Sequence, residues 1–65
     1  MNDILTEYQI YLCHKIWEGY TIEELSKSET RTLASTRAVI REIRDILDIT
    51  NNKGISKWYQ DRIDN

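Results

Sequence analysis

The sequence predicts an all-α protein, one small domain of four helices spanning residues 1–65. Three observations predict it. The chain contains no proline, the residue that most readily ends or kinks a helix. Its apolar residues recur at spacings of three and four, the repeat that gathers side chains on one helical face. Hydroxyl residues stand before three of these stretches, where the orphan amides of a first helical turn need acceptors.

Taken in order, "TEYQ" at residues 6–9 is a Thr-x-x-Gln capping box, in which the Thr6 hydroxyl and the Gln9 amide satisfy each other's backbone N–H. It opens a helix over residues 6–18 with Leu12, Cys13 and Ile16 on one side, ended by Gly19, a residue suited to the left-handed C-terminal position. "TIEE" at residues 21–24 repeats the box with Thr21 and Glu24 and opens a short helix over 22–27, with Ile22 and Leu25 inward. Thr32 is the expected N-cap of the longest helix, 33–47, where Thr36, Ile40, Ile43 and Leu47 form one stripe. Extended backwards, that apolar seam fails at Ser26 and Glu29, so a break is expected near 28–32. "TNNKG" at residues 50–54 is a turn by composition, and a last helix over 52–63 carries Ile55, Trp58, Tyr59 and Ile63.

A chain this short is marginal as a domain because surface outweighs buried volume. It needs tight helix packing, a dimer interface or a partner. Charged residues make up 31% of it and no apolar run approaches membrane length. The absence of a leader and the start at Met1 give the expectation of a cytoplasmic protein in its native length. Cys13 and His14 are the only cysteine and histidine, too few for a metal site or a disulfide framework. As sequence neighbours they point about 100° apart on a helix, so they do not form a nucleophile–base pair. With no Gly-rich phosphate loop either, no enzyme and no cofactor is expected, and Cys13 is read as a buried thiol.

Charge is uneven along the chain. Residues 1–27 hold two lysines against five acids, residues 28–49 four arginines against four acids, and residues 50–65 three basic groups against two acids. Positive charge is thus concentrated in the third and fourth helices.

The stretch "LTEYQIYLCHKIWEGYTIEELS" resembles the opening of the LuxR-type (GerE-like) helix-turn-helix domain. Leu5, Thr6, Leu12, Cys13, Ile16, Gly19, Thr21, Glu24 and Leu25 occupy that family's pattern positions without a gap. In the same register Ser35 meets the family's threonine, while Ile40, Ile43 and Leu47 meet its helix-three core. Ile49 and Asn51 fit the lead into its fourth helix. The likeness covers residues 5–61 and is one of spacing more than identity. Sigma-factor region 4 shares the architecture. The chain departs from the pattern at Gln9 (glutamate in the family), at Lys15 and Trp17, and at Glu29 and Arg31, where the family's turn is apolar. Asp48 replaces a glycine in the left-handed region, a mild change because Asp tolerates it.

The resemblance implies a bacterial or phage transcription regulator that binds double-stranded DNA with helix 33–47 in the major groove; the short chain gives the expectation that it stands alone. On a helical wheel Arg37, Arg41 and Arg44 share one flank of the stripe, with Ala34 and Ala38 close by. Small residues let a helix approach the groove while arginine forks grip guanine edges or phosphates. Arg31 is placed to reach a phosphate, and the resemblance adds Thr32 and Ser35 as backbone contacts. The rival reading is a solvated face, the arginines being flanked by Glu42 and Asp45. Net charge −2 argues for weak, salt-sensitive binding by a monomer.

The apolar residues of the last helix, Ile55, Trp58, Tyr59 and Ile63, either close the monomer core or form a homodimer interface, as the family's fourth helix commonly does. Tyr8, Tyr11, Trp17 and Tyr20 are expected to be core or half-buried, because base-stacking platforms sit in basic grooves and the first helix is acidic. A second reading of a different class is a small acidic helical protein that binds and modulates another protein, such as a transcription factor or an RNA polymerase subunit.

Overall fold

The computed structural model describes residues 4–65, and Met1, at which the expectation of native length rests, lies outside them. Among the described residues there are four helices and no strand: α1 Glu7–Trp17, α2 Ile22–Ser28, α3 Leu33–Leu47 and α4 Asn52–Asp64. The helix ends expected from the caps are met to within about a residue.

Each start is made by the residue that the sequence nominates, except that Asn51 proves to be the cap of α4. Thr6 and Thr21 form complete capping boxes with Gln9 and Glu24. Thr32 Oγ1 accepts from the Ser35 amide at 3.1 Å, and Asn51 Oδ1 from the Gly54 amide at 2.9 Å. The ends of α1, α2 and α3 share one chemistry. Gly19 (φ 105), Thr30 (φ 55) and Asp48 (φ 57) each turn left-handed. The next residue's amide then reaches back five residues: Tyr20 to the Lys15 carbonyl, Arg31 to Ser26, Ile49 to Arg44, at 2.9–3.1 Å. These are Schellman closures, which satisfy carbonyls otherwise left bare at a helix end.

The core is Leu5, Leu12, Cys13, Ile16, Leu25, Ile40, Ile43 and Ile55, with Tyr8, Ile10, Ile22, Val39, Leu47, Ile49, Trp58 and Tyr59 packed around it. Helix α1 lies chiefly against α4 and also against α3, while α2 lies against α3. Thr36 sits in the apolar stripe at 2% exposure, and its hydroxyl donates to the Thr32 carbonyl at 3.2 Å, so no polar group is stranded. Gly54 permits a close approach: a Cβ there would stand 3.1 Å from Ile49 Cβ. Among the described residues no helix is long and apolar enough to cross a membrane.

One open expectation is decided and one is corrected. Ile55 was left open between the monomer core and a dimer face, and it is fully buried in the chain's own core, because α4 must offer α1 an apolar side chain for the domain to close. Tyr11, Trp17 and Tyr20 were expected to be core or half-buried, yet they are exposed, at 43%, 37% and 43%. The one-sided stripe of α1 is already filled by Leu12, Cys13 and Ile16. Only Tyr8 of that set is half-buried.

Candidate nucleic-acid interface

Two helices, α2 and α3, are joined by the four residues 29–32. The turn is held from both sides. Thr30 and Arg31 amides donate back into the end of α2, at 3.3 and 2.9 Å, and Thr32 caps α3. Half-buried Glu29 accepts a hydrogen bond from the Tyr8 hydroxyl of α1 and pairs with Arg31 Nε at 3.5 Å. The Arg31 guanidinium lies 5.0 Å from the Tyr8 ring centre, a cation–π distance. Burial, and then the bond to Glu29, raise the Tyr8 phenol above its ordinary value. The polar turn residues that depart most from the family pattern therefore act together as a clasp between α1 and the α2–α3 turn.

Beyond the turn, Ala34, Arg37, Ala38 and Arg41 are exposed and line one shallow depression on α3. Among the described residues neither Arg37 nor Arg41 makes an ion pair or a hydrogen bond to another side chain. Arg44, expected with them, goes elsewhere: it is half-buried and its Nη1 donates to Asn52 Oδ1 of α4 at 3.4 Å. Ser35 is exposed at the first turn of α3 and accepts a long bond from Arg31 Nη1 at 3.5 Å. Thr32 is exposed, with its hydroxyl engaged as the cap. Asp45 stands one turn beyond Arg41, exposed, and ends the positive stretch.

Of the residues expected in a dimer contact, Trp58 and Tyr59 are half-buried against the core and Ile63 is 48% exposed. An open groove of about 510 Å³ between α1 and α4 is lined by Glu7, Ile10, Tyr11, His14, Tyr59 and Arg62. Beside it His14 Nδ1 lies 3.0 Å from the Tyr59 hydroxyl and Nε2 3.3 Å from Glu18, while Trp17 Nε1 donates to Gln60 at 2.8 Å. This seam was not legible in the sequence, since its partners lie 43 and 45 residues apart. The Cys13 thiol, fully buried, is pushed up to about 11 by desolvation, so it is protonated at neutral pH and is a poor nucleophile. Among the described residues no cluster of three potential metal ligands occurs.

Comparison of the chain with protein-family models, with curated proteins and with solved structures finds no match.

Proposed function

We propose that this protein is a small DNA-binding transcription regulator that sets α3 into the major groove of double-stranded DNA. One observation carries the reading. Two exposed arginines, Arg37 and Arg41, are held by no acid among the described residues and share a shallow surface with two alanines, on the helix that follows a tight turn. With no carboxylate in their forks, these two stay available to phosphates or base edges. The LuxR-type spacing of the chain supports the same assignment. Arg31, Thr32 and Ser35, at the entrance to α3, are the backbone-contacting set, with Arg31 fixed by its clasp. Arg44 is left with a secondary part because α4 occupies it. Two copies paired through the exposed edge of α4, around Ile63, would offset the weak grip of an acidic monomer.

The test is a DNA shift assay at low salt with Arg37→Ala and Arg41→Ala, folding being followed by circular dichroism. Both variants are expected to lose retention and keep their helices. Full retention by both sinks the assignment of α3 as the reader. Solution mass, measured on the same samples, tests the pairing.

The exposed Tyr11 and Trp17 on α1, with Tyr20 just after it, favour a second reading, a module that binds another protein. Under it, Tyr11→Ala and Trp17→Ala abolish partner binding while the unaltered chain shifts no DNA even at low salt.

A further inference from the structure

Resting on the DNA-binding reading above, we infer that Tyr8 is a positioning residue of the DNA-binding surface: its hydroxyl occupies the Glu29 carboxylate and so leaves the Nη nitrogens of Arg31 to a DNA phosphate. Glu29 and Arg31 stand two residues apart in the α2–α3 turn, where the acid is placed to cancel the charge of the base. A carboxylate beside a guanidinium frequently closes a fork of two short bonds over it, and a guanidinium so held has little left for a phosphate. In this turn the pair is long instead. Arg31 Nε lies 3.5 Å from Glu29 Oε1, beyond the about 2.7–2.9 Å of a charge-assisted bond. The same Oε1 accepts the Tyr8 O–H from α1, so the oxygen that would complete the fork is already taken.

Exposure divides the pair. The Arg31 side chain is 40% exposed and that of Glu29 17%, so the base is the outer member. The guanidinium carbon lies 5.0 Å from the Tyr8 ring centre, and stacking there steadies the plane without engaging its N–H donors. Nη1 stands 3.5 Å from Ser35 Oγ on the first turn of α3, too far to be held firmly. The unengaged edge of Arg31 is therefore presented at the entrance to α3. Burial and the bond to Glu29 raise the Tyr8 phenol above its ordinary value, so at neutral pH its proton is there to donate.

The experiment measures the affinity of the full chain for a mixed-sequence duplex across a salt series from about 50 to 200 mM. It compares Tyr8 with Tyr8→Phe, which keeps the ring and removes the hydroxyl, and repeats the pair in Arg31→Ala and Glu29→Gln backgrounds. Circular dichroism follows the fold. Tyr8→Phe is expected to weaken binding about tenfold and to lower the log–log salt slope by about one, the loss of one phosphate contact. In either background it is expected to change neither quantity, because the base, or the acid that would capture it, is gone. Unchanged affinity in Tyr8→Phe, or an equal loss in all three backgrounds, overturns the proposal and leaves DNA binding standing. So does an unchanged salt slope in Arg31→Ala alone, which needs no change at Tyr8. If the unaltered chain retains no duplex at all, the DNA reading itself fails and the proposal falls with it.

Discussion

Gln9 Nε2 of α1 donates to Glu42 Oε1 of α3 at 3.2 Å, while Gln9 Oε1 closes the capping box by accepting from the Thr6 amide at 2.9 Å. The side chain is 8% exposed, and its amide is the group that can serve a donor and a carboxylate at once. A glutamate, which the LuxR-type pattern carries here, would keep the cap and face Glu42 as a like charge. Gln9→Glu is therefore expected to destabilise the chain by about 1–2 kcal/mol at pH 7. Repulsion raises the new carboxyl's folded pKa, so the loss appears as pH rises and disappears below about pH 4. Urea unfolding at pH 7 and pH 4 measures it, and an equal loss at both would refute the electrostatic account.

Thr30 carries a β-branched side chain at φ 55, where Cβ crowds the following carbonyl. Thr30→Gly is expected to stabilise the fold by about 1 kcal/mol, the relieved strain exceeding glycine's extra unfolded-state entropy. Thr30→Ala, which keeps a Cβ, should recover little of this. Thermal unfolding of the pair decides it.

Cys13 and Tyr8 make the fold sensitive to alkali. Both groups titrate higher in the folded chain, Cys13 at about 11 against an ordinary 9.0 and Tyr8 above its ordinary 10.0. Their contribution is intact below pH 9. Above it the unfolded thiol releases its proton first, so the native state binds more protons and stability falls as pH rises. A decline on the order of 2 kcal/mol toward pH 11 is expected, shallower in Cys13→Ala. At neutral pH, iodoacetamide should label Cys13 only when denaturant opens the core.

Arg44 differs from Arg37 and Arg41 in what it touches. Arg44→Ala removes the contact to Asn52 at the start of α4, so a stability loss of about 0.5 kcal/mol is expected, with DNA retention reduced less than in Arg37→Ala. Shift assays across a salt series make the comparison, and equal losses for the two variants would restore Arg44 to the reading surface.

Helix starts were legible because a cap acts within three residues: Thr6 with Gln9, Thr21 with Glu24 and Thr32 with Ser35 are all i to i+3 pairs. The stripe of α3 was legible for the same local reason, and Ile40 and Ile43 are buried in it. Of the residues expected on the exposed side of α3, Ala34, Arg37, Ala38 and Arg41 line one depression, because the pairs Ala34–Ala38 and Arg37–Arg41 are each one turn apart. Where the pattern stopped informing, the deciding neighbour came from another helix.

By itself, then, the sequence determined an all-helical chain, the caps Thr6, Thr21 and Thr32, the left-handed stops at Gly19 and Asp48 and the inward stripe of α3, while the stop at Thr30 and the cap at Asn51 came from the structure. Tertiary structure alone decided that Arg44 turns to Asn52 on α4 while Arg37 and Arg41 make no ion pair among the described residues. It also decided that Ile55 serves the core, that Tyr11, Trp17 and Tyr20 stay exposed, and that Glu29 and Arg31 clasp the turn through Tyr8. Helix geometry is written in spacings of three and four, whereas a side chain's environment depends on what folding brings beside it.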